Sequence, residues 1–141
     1  MRYQANNFTI ETPGDWQDRS IITFVAANSP NEFAANMVIT KEAIDLEETS
    51  LENYAHRQFD IAQREVAGLK VLKQKKTTLS GRPGVEIIQR LSAHGLNLQQ
   101  LQTFVLMDAE ICVVTCTATV GNFNQYLPRF RKILESFQIN S

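Results

Sequence analysis

Histidine and cysteine, the residue types most often used for metal binding and nucleophilic chemistry, are scarce in this chain. His56 falls on a predicted helix, away from its apolar stripe, and His94 falls in a predicted turn. Neither has a Cys, His or carboxylate neighbour at the spacing of a metal site. Cys112 and Cys116 lie in a β-like run, about 13 Å apart along a strand, which is too far for a disulfide. We expect both to be buried, reduced thiols.

Sequence motifs for catalysis are also missing. The chain contains no glycine-rich phosphate loop, no G-x-S-x-G and no H-E-x-x-H. The segment SGRPG at 80–84 has the glycines of a phosphate loop, but no helix or Lys-Ser/Thr pair follows it, so it is predicted to be a plain turn. We therefore expect a protein that is not an enzyme and that has no catalytic residues, no metal site and no cofactor.

Two glutamines occupy positions where apolar residues are expected. Gln58 belongs to the apolar stripe of a predicted helix, with Leu51, Tyr54, Ala55 and Ala62. Gln102 shares a strand face with Leu98, Gln100, Phe104 and Leu106. A glutamine side chain is costly to bury without partners. It is therefore either a satisfied core or rim residue, or part of an apolar groove that offers hydrogen bonds to a bound peptide.

The run SIITFVAA at 20–27 is apolar on both faces of a predicted strand, whereas a half-exposed strand is apolar on one face. One set is Ile21, Thr23 and Val25, and we expect it to face the core. The other set is Ile22 and Phe24. Ile39, on the next predicted strand, is likewise an apolar residue that could face outward. If these side chains point outward, they form an apolar partner surface; the alternative is burial on both faces under the helices.

The predicted elements follow the order β-β-β-α-β-β-β-β-α. Ser50 is the expected N-cap of the first helix, and Pro128 is expected near the start of the second. The lysine-rich KVLKQKKTTL indicates an exposed or edge strand, and ICVVTCTATV a central strand. Short turns between consecutive strands favour antiparallel pairing. We predict one α+β domain over 1–141: a twisted antiparallel sheet of six to seven strands with two helices.

Composition excludes several functional classes. The chain has 141 residues, 43% of them hydrophobic and 21% charged, with a net charge of −1. These values are typical of a folded domain, and they give no electrostatic signature for nucleic acid or an anionic membrane. The first ten residues contain no apolar run, and no segment approaches the length of a membrane span. We expect a cytoplasmic protein that does not insert into membranes.

Several segments together resemble the Eag-type chaperones of bacterial type VI secretion. They are TPGDWQDRSI, NMVIT, SLENYAHRQFDIAQRE, GRPGVEI and the F..IL.SF pattern of the tail, of which DWQD at 15–18 and GRPG at 81–84 are the strongest. The resemblance extends over essentially the whole chain. Eag-type chaperones belong to the DcrB-like group, whose fold is similar to that of the photosystem protein PsbP.

This resemblance implies a homodimeric, cytoplasmic chaperone without ATPase activity. Such a dimer cradles the N-terminal transmembrane helices of a toxic effector, typically an Rhs or PAAR-containing protein, and helps it load on the secretion spike. The positions that match the groove of the family are Ile22, Phe24, Ile39, Gln58 and Gln102. Phe24 is bulkier than the aliphatic residue expected there.

Two other functions remain possible from the residues alone. One is a non-enzymatic binding module of PsbP-like fold that takes a soluble protein partner. The other is a small hydrolase that uses His56 or His94, which the scarcity of catalytic residues disfavours.

Overall fold

The structure is a computed structural model that describes residues 2–4, 7–27 and 33–139. These described residues form eight strands and two helices. In chain order they are β1 (Arg2–Gln4), β2 (Thr9–Glu11), β3 (Ile22–Val25), β4 (Asn36–Ala43), α1 (Leu51–Glu65), β5 (Lys70–Leu79), β6 (Arg82–Ala93), β7 (Leu96–Met107), β8 (Glu110–Thr119) and α2 (Val120–Glu135).

Six strands form one antiparallel sheet in the order β3-β4-β8-β7-β6-β5, and β1 and β2 form a separate two-stranded hairpin. The predicted turn at His94-Gly95 joins β6 to β7, and a second tight turn at Asp108-Ala109 joins β7 to β8. β5 is an edge strand and β8 is an inner strand, also as predicted. The α+β class, the antiparallel sheet and the two helices are confirmed; β1 is an additional strand that the sequence did not indicate.

The two helices cover opposite faces of the sheet, and each encloses its own apolar core. α1 packs on a cluster that includes Val85, Ile87, Phe104 and Ile111. α2 packs on a cluster that includes Leu101, Val105, Val114 and Cys116. Because side chains alternate between the faces of a strand, β6, β7 and β8 supply residues to both cores. The inner strands are therefore apolar on both faces, which explains their continuous apolar runs.

Helix α1 begins where the sequence predicted. The Ser50 side chain accepts a hydrogen bond from the Asn53 backbone N–H at 3.2 Å, so Ser50 is the N-cap. Leu51, Tyr54 and Ala55 are buried against the sheet. Gly68, in the turn after the helix, has a φ of +69°, which glycine adopts without a Cβ clash.

The prediction that helix α2 begins near Pro128 was wrong. The helix begins at Val120 and contains Pro128 in its interior. Pro128 is exposed, while Phe123 and Tyr126 before it and Phe130 and Leu134 after it are all buried. Packing on both sides of the proline outweighs the loss of one backbone hydrogen bond, which is a tertiary effect that local propensity does not include.

The expectation that Ile21, Thr23 and Val25 face the core was also wrong. Ile21 is 66% exposed and Val25 is 61% exposed, and every residue of β3 is exposed. The reason is position, since β3 is an edge strand and the main contacts of the helices are with β6, β7 and β8. Within the part of the chain that the structure describes, Ile22–Val25 therefore stay exposed on both faces of the strand.

Candidate functional site

The five residues predicted to bind a partner divide between the two faces of the sheet. In the β3–β4 pairing, Ile22 lies opposite Ile39 and Phe24 lies opposite Met37. Met37 belongs to the core on the α2 side and Ile39 packs against it, so Ile22, Phe24 and Ile39 share the α2 face. Gln58 and Gln102 lie on the α1 face, where they line a different pocket. The structure brings three of the five together and separates them from the other two.

The first surface, which we call the apolar groove, lies between α2 and the β3–β4 edge of the sheet. It encloses about 440 Å³. The residues that line it are Phe24, Val25, Ala26, Ala35, Asn36, Met37, Tyr126, Arg129, Phe130 and Ile133. Nearly all are apolar, and an open apolar groove of this kind is the usual form of a site that receives apolar ligand or partner atoms.

Two of the predicted residues extend the apolar groove along the edge strand. Ile22 is 47% exposed and Phe24 is 58% exposed. Phe24 lines the groove directly, whereas Ile22 and Ile39 lie two residues further along the paired strands β3 and β4. Together they continue the apolar surface beyond the cavity itself.

Arg129 brings a positive charge to this groove. Its guanidinium carbon lies 5.6 Å from the centroid of the Tyr126 ring, a cation–π contact that holds the side chain in place. Tyr126 in turn stacks on Phe130, with 6.0 Å between the ring centroids. The wall that α2 contributes is therefore an ordered aromatic surface with a cation at its rim.

The second surface, which we call the glutamine pocket, lies between α1 and the sheet and encloses about 400 Å³. Its polar residues are Thr40, Glu42, Tyr54, Gln58, Gln89, Gln100, Gln102 and Thr115. Its apolar residues are Phe59, Ala62, Val66, Leu69, Leu91, Phe104 and Val113. This mixture differs from the apolar groove, because here amide and hydroxyl groups alternate with apolar surface.

Hydrogen bonds across neighbouring strands order the floor of the glutamine pocket. Gln89 Nε2 donates to Gln100 Oε1 at 2.8 Å, and Gln100 Nε2 donates to Thr117 Oγ1 at 3.1 Å. Two residues further along β7, Gln102 Nε2 donates to Thr115 Oγ1 at 3.1 Å. Gln89 and Gln100 were not predicted as site residues. The signal that could have found them is the pairing of β6 with β7, which places the two glutamines directly opposite each other.

Gln58 differs from these ordered amides. It projects from α1 into the same pocket and is half-buried. Among the residues that the structure describes, its side chain has no hydrogen-bond partner. Its amide can therefore donate to, or accept from, a group that enters the pocket.

A tyrosine–carboxylate pair joins α1 to β4 at the glutamine pocket. The Tyr54 hydroxyl donates to Glu42 Oε2. Burial, and then the neighbouring Glu42 carboxylate, raise the pKa of Tyr54 far above its ordinary value of 10.0. The hydroxyl stays protonated across the physiological range, and it fixes the position of α1 over the sheet.

A buried ion pair performs the same task for α2. The Glu86 side chain on β6 is 4% exposed, and its carboxylate accepts hydrogen bonds from the two terminal guanidinium nitrogens of Arg131 on α2. Lys75 Nζ of β5 lies 3.6 Å from the same carboxylate. Because α2 forms one wall of the apolar groove, this pair helps to set where that wall stands.

The histidines and cysteines are placed as the sequence predicted. His56 and His94 are exposed. His56 Nε2 lies 3.5 Å from Asp60 Oδ2, four residues further along the same helix, which is a carboxylate neighbour that was not predicted. Cys112 and Cys116 are buried and free, and burial raises the pKa of both thiols. Within residues 2–4, 7–27 and 33–139, no group of three or more His, Cys, Asp or Glu could hold a metal ion.

No helix in the described part of the chain combines the length and the apolar character needed to cross a bilayer. The two surfaces present mainly apolar side chains, with amides, hydroxyls and the Glu42 carboxylate in the glutamine pocket and the Arg129 cation at the apolar groove. This arrangement suits the binding of another molecule.

Known proteins resemble this chain over nearly its full length. The protein named Effector EagT6 from Pseudomonas aeruginosa is 23% identical over 134 residues, which are 95% of this chain and 92% of that protein. A crystal structure of PA94, a Pseudomonas aeruginosa protein of unknown function, superposes with a TM-score of 0.87 at 22% identity, covering 100% of this chain and 97% of that one.

More distant structures share the fold. The cyanobacterial PsbP protein of Synechocystis superposes with a TM-score of 0.60 at 10% identity, covering 99% of this chain and 92% of its own. LpqN of Mycobacterium tuberculosis, which is involved in cell envelope biogenesis, superposes with a TM-score of 0.57 at 12% identity, covering 89% and 87%. The fold is therefore PsbP-like, as the resemblance implied. The family model described as DcrB matches residues 8–136, and the chain belongs to the DcrB family.

Proposed function

We propose that this protein is a type VI secretion chaperone. It binds the N-terminal transmembrane helices of a cognate effector of the Rhs or PAAR type and shields them from water before the effector is loaded on the secretion spike. In this proposal it acts as a homodimer in the cytoplasm, without cofactor, ATPase activity or catalysis. The similarity to Effector EagT6 over 95% of the chain supports an effector-linked role.

The observation that carries the proposal is the apolar groove with its uncovered edge strand. A transmembrane helix in water exposes a long apolar surface, and each CH₂ group removed from water contributes about 0.8 kcal/mol. The groove offers a matching surface in Phe24, Met37 and Phe130, and Ile22 continues it along β3. Large apolar side chains exposed together at one edge are typical of a surface that a partner covers.

The glutamine pocket supports the same class of ligand. Transmembrane helices place small residues and Ser or Thr on the faces that pack against other helices. Gln58 and Gln102 would supply the hydrogen bonds that a neighbouring membrane helix supplies in the bilayer. The two surfaces lie on opposite faces of the sheet, so one straight helix cannot contact both on one protomer. The proposal therefore requires either more than one bound segment or the second protomer of a homodimer.

The two edges of the sheet differ in how well they could receive a second copy. β3 carries no charged residue among Ile22–Val25. β5 carries four lysines, which repel an identical strand placed beside them and protect an edge from pairing. The β5 edge is therefore the less suitable of the two for pairing with a second copy.

Co-purification with the effector tests the apolar groove. We expect Ile22→Asp or Phe24→Asp to reduce capture of a tagged effector N-terminal segment at least about tenfold, because a desolvated carboxylate costs more than 1.4 kcal/mol. Both side chains are exposed, so the thermal unfolding midpoint should stay close to that of the parent protein. Leu72→Asp is the matched control, because Leu72 is also an exposed aliphatic residue but lies on β5. Equal capture by all three variants would contradict the assignment of the groove.

The glutamine pocket needs its own variants. Gln58→Ala and Gln102→Ala together should weaken capture while the protein stays folded. Gln74→Ala on β5 is the control, since Gln74 is exposed and lies outside the pocket. Capture that is unchanged by the double substitution would remove these two residues from the binding site.

Affinity purification from the native cell, followed by mass spectrometry, separates this proposal from the alternative of a soluble partner. The proposal expects a partner with apolar N-terminal helices, encoded next to this chain. A reproducible partner without such helices would replace it with a binding module for a soluble protein.

A further inference from the structure

We infer that the segment held in the apolar groove carries an acidic side chain beside its apolar residues, and that Arg129 is the residue that selects it. This inference rests on the proposed function and adds a charge requirement to the bound segment. It would make Arg129 a specificity-determining residue, with one defined chemical partner.

The groove contains a single charge. Of the ten described residues that line it, Arg129 alone is ionised at neutral pH. No carboxylate among the described residues lies within ion-pair distance of Arg129, whereas Arg131, two positions further along α2, is paired with Glu86. Among the described residues, this arginine at the rim of the apolar groove therefore has an aromatic neighbour and no anionic one.

The contact with Tyr126 makes this cation a suitable receptor for a carboxylate. The guanidinium lies 5.6 Å from the ring centroid, and the cation–π contact reduces the freedom of the side chain before any ligand arrives. A guanidinium presents its N–H donors in a planar fork that matches the two oxygens of a carboxylate. Apolar walls on one side also lower the local dielectric, which strengthens attraction to an opposite charge relative to open water.

The ordinary explanation of a basic residue on a helix does not account for Arg129. Cations in the last turn of a helix are favoured by the helix dipole, and that effect is confined to the last turn. This effect accounts for Lys132, which lies in the last turn of α2. Arg129 is six residues before Glu135, the end of the helix, and it lines the groove. Its position is explained better by what enters the groove than by the helix dipole.

Two fluorescent helical peptides test the inference on the intact protein. Both contain the same Leu/Ala core, and one ends in Asp where the other ends in Lys. We expect the Asp peptide to bind more tightly by roughly threefold to tenfold, the range for one exposed ion pair gained and one like-charge contact avoided. The preference should shrink at 0.5 M salt, because exposed charges are screened.

Charge reversal supplies the decisive variants. Arg129→Glu should reverse the preference, whereas Lys132→Glu, with the same change in net charge on the same helix, should leave it in place. Neither side chain is buried, so both variants should stay folded; Lys132→Glu should lower the unfolding midpoint slightly, because it places a negative charge in the last turn of the helix. An equal effect of the two variants would mean that only overall charge matters, and it would overturn the inference.

The remaining outcomes are also distinct. If both peptides bind the parent protein equally, the charge requirement is overturned while the proposed chaperone function stands. If neither peptide binds, but palmitate binds saturably and its binding requires Arg129, the groove is a lipid-binding site and the inference is overturned. Failure of the proposed function would appear elsewhere, as loss of effector capture from the native cell.

Discussion

Replacing Arg131 by alanine should destabilise the protein in a strongly pH-dependent way. Arg131 is the contact by which α2 neutralises the buried Glu86 carboxylate on β6. The substitution leaves that carboxylate with one cationic neighbour, Lys75, at 3.6 Å. A buried charge that loses its partner must either stay desolvated or take up a proton, and both cost free energy at neutral pH.

The expected magnitude follows from the exposure of the two side chains. Removing one partner of a fully buried ion pair costs about 3–5 kcal/mol. Here the Glu86 side chain is 4% exposed, but that of Arg131 is 35% exposed, and Lys75 remains. We therefore expect a loss of about 2 kcal/mol at pH 7. With an unfolding entropy of about 2.1 cal/mol/K per residue, this lowers the Tm by about 7 °C.

The pH dependence has a definite sign. Burial acts to raise the pKa of Glu86, but Arg131 and then Lys75 outweigh burial and hold this pKa below its ordinary value of 4.5. A lowered folded-state pKa stabilises the protein above the unfolded value, and this contribution is lost as the pH falls through the folded pKa. Without Arg131, burial should move the pKa upward. The stability gap between parent and variant should therefore be largest at pH 7 and should narrow towards pH 4.5.

Urea denaturation at pH 7 and pH 4.5 measures this gap. Lys132→Ala is the control, because Lys132 is the next residue on α2 and is exposed; we expect it to change the free energy of unfolding by less than about 0.5 kcal/mol. A loss in Arg131→Ala no larger than in the control would refute the argument. So would a gap of the same size at both pH values, since the carboxylate would then not be its source.

Three further predictions concern packing. Gly84→Ala should destabilise by about 1–3 kcal/mol, because an added Cβ would lie 2.9 Å from the Phe104 carbonyl oxygen. Gly121→Ala on α2 should instead stabilise by up to about 1 kcal/mol, because nothing lies within 4 Å of its added Cβ; urea denaturation that ranks the two variants in the opposite order would contradict both. Cys112 and Cys116 should react with iodoacetamide at pH 8 only after unfolding, because burial raises the pKa of both thiols, that of Cys116 to about 12; rapid labelling of the folded protein, detected by mass spectrometry, would show that they are accessible.

The fold could be predicted well where the signal was local. The turns at His94-Gly95 and Asp108-Ala109 lie between strands whose apolar and polar residues indicate β structure, and Ser50 is a typical N-cap. The start of α2 could not be predicted, because Pro128 argues locally against a helix that four buried side chains stabilise through packing. Local propensity is a weak preference, which tertiary contacts outweigh.

The candidate site was predictable only in its residue types. The sequence marked Ile22, Phe24 and Ile39 as apolar, and Gln58 and Gln102 as polar, in places where the opposite character was expected. It did not reveal that the two groups lie on opposite faces. The register of β3, β4, β8 and β7 decides which face each strand residue occupies, and the packing of α1 decides where Gln58 lies. Arg129 gave no sequence signal at all, since a basic residue on a helix is ordinary.

Composition and periodicity by themselves determined an α+β chain with an antiparallel sheet and two amphipathic helices, since the spacing of apolar residues specifies the secondary structure that can bury them. The tertiary structure alone decided what stayed uncovered. The helices pack mainly on β6, β7 and β8, which leaves β3 as an apolar edge and places Tyr126, Arg129 and Phe130 beside it. The physical reason is that a groove exists between elements distant in the chain, so it depends on their packing and not on any local segment.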